Sequence, residues 1–366
     1  MNPRILYIYE GKLTRHGIDR VVREQLTALV ERGCIVDLAS RGDPGIDGVS
    51  FIGKKWTIAN LFSWLPRSIY YPAQKRVFMN LGARFATQRE YSKIISWRER
   101  ALLSFRMGSQ QNIDCYLSHD SMHWRGTAAE KKHPRWPALS LAEIDEEYRL
   151  AKRILLASEN SMESFLRNGL PIEKLSVIGR GVDTSLFAPN SSHEDSKFRV
   201  VFCGRVCERK GIRQVVKAWE SAALSNSELL VLGNVDSDLQ GFVDEHAGGN
   251  IRWLGFQKEI LPFLQQCDAQ ILLSRREGMA KSLLEGASCG LATITTKDSG
   301  FPMLDGKNGF LVDREDTART AELLRCLHQK RALCLEIGAE GRRTVVADYS
   351  WEAFRKKFLE AVEIPA

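Results

Sequence analysis

The sequence predicts an α/β protein made of two doubly wound units in tandem. Three observations carry this expectation. Short apolar runs alternate with amphipathic helical patterns, the alternation restarts after a polar stretch at 189–196, and 366 residues exceed what one hydrophobic core usually organises.

Taken in order, Arg4 to Tyr9 reads as a buried strand, Ile18 to Arg32 as an amphipathic helix stopped by Gly33, and Cys34 to Ala39 as a second strand. From Trp56 to Met107 the pattern is helical, and no strand is expected until Asp114 to Ser118. Ile154 to Ser158 and Ser176 to Ile178 read as the last strands of the first half. Strands alternating with helices imply parallel sheets with right-handed crossovers. The second half repeats the pattern, with strands at Arg199–Cys203, Glu228–Leu232, Ile251–Leu254, Ala269–Ser274 and Ala292–Thr295. Its helices are expected at Ile212–Ala222, Ile260–Gln266 and, after a loop, within Glu277–Ser288. In such a tandem, the ligand cleft is expected outside the carboxyl ends of both sheets.

Composition excludes several classes. Apolar residues are 44% and charged residues 27%, ordinary for a globular chain, and no repeat or low-complexity tract is visible. The longest apolar runs fall far short of the roughly 20 residues of a spanning helix. The N-terminus turns polar at Glu10 and has no signal-like apolar core. Eight cysteines without a C-x-x-C pair read as free core thiols in a reducing cytoplasm, and Cys203 with Cys207 lacks the spacing and partners of a zinc site.

Two segments carry chemistry. Glu277-Gly278-Met279-Ala280-Lys281-Ser282-Leu283-Leu284-Glu285 follows a strand and opens a helix, so backbone N–H groups from Ala280 to Leu283 can receive a phosphate. Glu285 and Glu277 can accept hydrogen bonds from ribose and sugar hydroxyls. The ordinary alternative is a solvated helix start with acidic residues favoured by the macrodipole. Cys203 to Gly211 follows the first strand of the second half and offers Arg205 and Lys210 as a diphosphate clamp. It is not a Walker A loop, because no glycine precedes Lys210 and no hydroxyl follows it.

Together these segments resemble the retaining glycosyltransferases of family 4, which have the GT-B fold. Gly204-Arg205 through Lys210-Gly211 is similar to the family's G-R-x-x-x-x-K-G loop, and Glu277 with Glu285 to its paired glutamates. Gly181-Val182-Asp183, Phe187 and Pro189 resemble the segment that closes its first domain, and Ser350-Trp351 the start of its C-terminal crossover helix. The resemblance implies an acceptor-binding domain at 1–188, a nucleotide-sugar-binding domain at 189–348 and a crossover helix at 349–366.

It further implies that Arg205 and Lys210 bind the donor diphosphate, with Met279, Ala280, Lys281, Ser282 and Leu283 at the helix start, that Glu285 holds the ribose, and that Glu277 and His119 lie near the transferred sugar. Gly17 resembles the second glycine of an N-terminal pair whose first member is here His16. Arg180 and Lys281 depart from the family pattern and add positive charge near the presumed donor. No metal or separate cofactor is expected. The implied donor is a UDP-sugar, with GDP-mannose as the alternative, and the implied acceptor a glycan or lipid-linked glycan of polysaccharide, lipopolysaccharide or glycolipid synthesis. The rival functions are a GT-B epimerase or hydrolase and a non-catalytic partner subunit.

Three motifs are set aside. Asp236-Ser237-Asp238 is a D-x-D tripeptide where a polar loop is expected anyway. Gly179-Arg180-Gly181 lacks the third glycine and helix of a dinucleotide fingerprint. Asp145, Glu146 and Glu147 suit a solvated helix face rather than paired acid/base hydrolysis.

The net charge of +7 is concentrated between Lys54 and Arg106, where only Glu90 and Glu99 oppose eleven cations, and where Trp56, Phe62, Trp64, Tyr70, Tyr71, Phe78, Phe85 and Trp97 are interleaved. This pattern suggests a cytoplasmic protein peripherally attached to anionic membrane at its inner face, against the ordinary alternative of core aromatics and a solvated basic face. No nucleic-acid motif accompanies the charge.

Overall fold

The structure is a computed structural model that describes residues 2–14, 17–53, 67–98, 101–125, 141–190 and 197–365, with side chains in the 67–98 segment described from residue 76. It comprises two compact units, Met1–Gly179 with Phe354–Ala366, and Arg180–Ala353.

The first unit runs β1 (Arg4–Tyr9), α1 (Gly17–Glu31), β2 (Ile35–Ser40), β3 (Val49–Phe51), α2 (Arg67–Gln88), β4 (Lys93–Trp97), α3 (Leu102–Gln110), β5 (Asp114–His119), α4 (Leu141–Leu150), β6 (Arg153–Leu156), α5 (Glu159–Leu166) and β7 (Leu175–Val177). Its sheet is parallel in the order β3-β2-β1-β4-β5-β6-β7. Strand order therefore reverses between β1 and β4, the topological switch point.

The expected strands are present, but β3 and β4 lie where none was expected. In β4, Ile94, Ile95 and Ser96 are all fully buried, because the strand is central and covered on both faces. Such a strand shows no alternation, and periodicity cannot separate it from a buried helical turn.

The second unit runs β8 (Phe198–Cys203), α6 (Ile212–Ala222), β9 (Ser227–Leu232), α7 (Gln240–Glu245), β10 (Ile251–Gly255), α8 (Leu261–Leu264), β11 (Ala269–Leu272), α9 (Lys281–Ser288), β12 (Ala292–Thr295), β13 (Phe310–Leu311), α10 (Thr317–Gln329) and α11 (Arg331–Tyr349). Its parallel sheet has the order β10-β9-β8-β11-β12-β13, so β8 and β11 flank the switch point. Helix α6 buries Ile212, Val215, Val216, Trp219 and Ala222 along one stripe, the spacing that predicts it.

The units divide at Gly179/Arg180 rather than after Ala188. Val182 N–H donates to Tyr349 O at 2.8 Å, and Gln265 and Arg342 donate to the carbonyls of Ala188 and Phe187, so 180–188 is held by the second unit. Gly181 lies against Trp351 so closely that an added Cβ would sit 2.1 Å from the indole. Helix α12 (Trp351–Ala361) passes into the first unit, where Arg355 pairs with Glu24 and Glu31 and Lys152 with Glu363. The polar stretch 191–196 lies outside the described residues.

Candidate functional site

Two loops leave the carboxyl ends of β8 and β11 side by side. After β8 the chain forms a 3-10 turn, Glu208–Lys210, and reaches α6 through Gly211 at φ +74. A side chain there would be strained, and its Cβ would lie 2.1 Å from Leu273 O. The β8 loop is thus pressed onto the end of β11, and Arg275 N–H donates to Arg209 O at 2.8 Å.

This contact brings opposite charges together. Lys210 Nζ lies 2.9 Å from Glu277 Oε1, and Arg209 donates to the same carboxylate and to Arg276 O at 2.8 Å. Arg209 carries no distinguishing sequence signal, being one more cation in a basic loop, so only the fold reveals its role. Glu277 N–H is fixed by Asp298 O at 2.7 Å.

Glu285 stands one turn into the helix, buried, with Lys281 bound to its carboxylate. Burial raises its pKa, and the charges of Lys281 and Arg180 oppose that shift. The two cations that depart from the family pattern thus act on one carboxylate and favour its ionised form. Burial pushes the nearby Cys203 thiol up to about 12, so it stays protonated at neutral pH.

At the start of α9, Met279 and Ala280 are buried, Ala280 N–H donates to Ser299 O, and Leu283 N–H to Ala280 O. The expected run of four free donors is therefore shorter. Lys281 and Ser282 N–H take no hydrogen bond among the described residues, and no side chain caps the helix. Arg205 is exposed and donates to Asp236.

In the first unit, Gly17 opens α1 at φ +58 with open space before it, while His16 lies outside the described residues. His119 ends β5, buried, with ring edges against Tyr148 and Phe165. Its Nδ1 donates to Ser121 O at 2.9 Å, which leaves Nε2 to accept from Tyr148 OH at 3.3 Å. A second buried histidine, His123, packs in the same cluster and was not singled out from sequence. Both ring nitrogens of His119 are engaged within the unit, the geometry of a satisfied core histidine.

The basic stretch is more neutral than its sequence suggests. Arg76, Arg89, Lys93, Arg98 and Arg106 pair with Glu143, Asp37, Asp114, Asp120 and Glu146, carboxylates mostly remote in sequence. Phe78 and Trp97 are buried, and Phe85 packs on the same core as Phe78. Lys54, Lys55, Trp56, Phe62, Trp64 and Arg100, and the side chains of Arg67, Tyr70, Tyr71 and Lys75, lie outside the described residues. Among the described residues no helix is long and apolar enough to cross a membrane, and no three His, Cys, Asp or Glu are grouped to hold a metal. All eight cysteines are free.

The loops and helix start of this site fall within the segment that comparison with known families singles out. Residues 197–330 match the family Glycosyl transferases group 1. Among curated proteins similar to this chain, the lipopolysaccharide core biosynthesis glycosyltransferase LpsE of Rhizobium meliloti is 28% identical over 166 residues, 44% of this chain and 48% of its own. The chain spans about half the length of the curated relatives it matches. Among solved structures, a sucrose-phosphate synthase from Thermosynechococcus elongatus covers 99% of this chain and 98% of its own at TM-score 0.76 and 19% identity. Anabaena HepE in complex with UDP and glucose covers 99% and 100% at TM-score 0.70 and 15% identity. The α/β fold with parallel sheets of seven and six strands is the one these GT-B neighbours share.

Proposed function

We propose that this chain is a retaining glycosyltransferase that moves a hexose-type sugar from a nucleotide diphosphate donor, preferentially a UDP-sugar, to a glycan or lipid-linked glycan. The observation that carries the reading is the set of Lys210 on Glu277 and Lys281 on Glu285 at the switch point of the second sheet, beside two helix-start N–H groups. That combination suits a ligand bearing both phosphates and vicinal hydroxyls. The group 1 match over these residues and the UDP and glucose held by HepE support it. The name of LpsE supports an acceptor in cell-surface polysaccharide synthesis.

In this reading Lys210, Arg205 and the N–H groups of Lys281 and Ser282 take the diphosphate, and Glu285 accepts from the ribose hydroxyls. Glu277 releases Lys210 to the phosphate and turns to hydroxyls of the transferred sugar. As the sugar–phosphate bond breaks, the positive groups stabilise charge on the leaving diphosphate, and they are already in place when it develops. The acceptor oxygen bonds to the anomeric carbon on the face from which the diphosphate leaves, its proton passing to the departing phosphate, and attack on that face gives retention. In the first unit, His119 holds the strand-end loop through Ser121 O, and Gly17 leaves the start of α1 open. No metal is required, so EDTA leaves the rate intact; loss of activity restored by manganese would return Asp236 and Asp238 to consideration.

The test is a panel of nucleotide sugars, read first by thermal shift and then by turnover. A ligand that binds only the folded state raises the unfolding midpoint by mass action. A donor that shifts the midpoint and is transferred to a glycan acceptor supports the proposal. Hydrolysis without transfer favours a hydrolase, and binding without turnover a non-catalytic subunit.

A further inference from the structure

Arg205 and Asp236 face one another across two loops that are bonded along their length. Gly204 N–H donates to Leu232 O at 2.9 Å, Val206 N–H to Asn234 O at 2.8 Å, and Asp236 N–H to Val206 O at 3.0 Å. Val206 and Val235 pair as a parallel bridge that continues β8 and β9 beyond the sheet. The backbones are so close at Gly233 that a Cβ there would lie 1.8 Å from Gly204 O. Little slack remains between the two side chains. They stand on the rim of a cavity of about 540 Å³ lined also by Cys203, Asn234, Phe256 and Gln257.

The bond between them is specific in its edge. Asp236 Oδ1 accepts from Arg205 Nε, while neither Nη group of Arg205 makes a hydrogen bond among the described residues. A guanidinium carries five N–H donors in one plane, and a carboxylate on Nε fixes that plane while leaving the Nη fork for a second anion. Fixing a side chain before binding lowers the ordering cost at the moment of binding. We propose that Asp236 is a positioning residue for Arg205, holding the Nη fork over the rim so that it takes a phosphate of a nucleoside diphosphate. This rests on the donor reading above. It also gives the first aspartate of the D-x-D tripeptide an occupation other than metal, since its carboxylate serves a cation already present.

The experiment measures UDP affinity by titration calorimetry for the wild type, D236N, D236E, R205A, R205A/D236N and K210A, with unfolding midpoints for each. D236N is expected to weaken UDP roughly fivefold, D236E to recover part of the loss, and D236N to change nothing further in the R205A background. Midpoints are expected to stay together, because an exposed ion pair contributes little to stability. A merely structural role would instead lower the midpoint and persist without Arg205, and that result overturns the inference. So does D236N binding UDP as tightly as the wild type while K210A binds it poorly, which leaves the donor reading intact. Wild-type protein that binds neither UDP nor GDP overturns both.

Discussion

Lys210 Nζ stands 2.9 Å from the Glu277 carboxylate, with only 11% and 15% of the two side chains exposed. A pair this sheltered costs desolvation unless each member keeps a partner. Arg209 shares the same carboxylate, so a phosphate can draw Lys210 away without leaving Glu277 alone. Two cations on one carboxylate leave this cluster with a net positive charge, which favours an incoming anion.

Glu285 illustrates the tension between stability and binding. Its pKa is raised by burial, so the folded chain holds the proton more tightly than the unfolded chain, where glutamate titrates near about 4.3. The stabilising contribution is present below that value and is lost as pH rises through the raised folded value. E285Q is neutral throughout. Its unfolding midpoint relative to wild type should climb with pH across that window and then level off, while nucleotide binding falls. A constant difference between the two proteins at all pH values would contradict this.

Asp37 predicts a large effect of a different kind. Its carboxylate is fully buried in β2 and accepts from Arg4 at 3.0 Å, Arg89 at 2.9 Å and Tyr91 at 2.9 Å. D37A removes the acceptor of the buried Tyr91 hydroxyl and of two part-exposed arginines, and should cost roughly 1–3 kcal/mol in denaturant unfolding. An unchanged midpoint would show that the network carries no stability.

Membrane attachment is tested by sedimentation with anionic liposomes. Binding at low salt, release at high salt, and loss on changing Arg67, Lys75, Arg76 and Arg84 to glutamate are expected. The pairing of neighbouring cations and the burial of Phe78 and Trp97 leave fewer groups for this surface than the sequence offers. Equal recovery with and without liposomes favours a water-soluble acceptor.

The parts legible from sequence were those with a local signature. Helix α6 announces itself by an apolar stripe, and Gly211 and Lys210 by their place after a strand. What escaped depends on tertiary context. Strand β4 is buried on both faces and shows no alternation. Arg209 is distinguished only by reaching Glu277 from another loop, Asp236 only by meeting Arg205, and the enclosure of His119 only by Tyr148 and Phe165, which arrive from α4 and α5.

The most direct measurement is calorimetric titration of UDP and GDP into the wild type, K210A and E285A. Binding of at least one nucleotide by the wild type, weakened at least about tenfold (~1.4 kcal/mol) in each variant with unfolding still cooperative, is the expected result. Wild-type affinity in both variants would contradict the placement of the donor on Lys210 and Glu285.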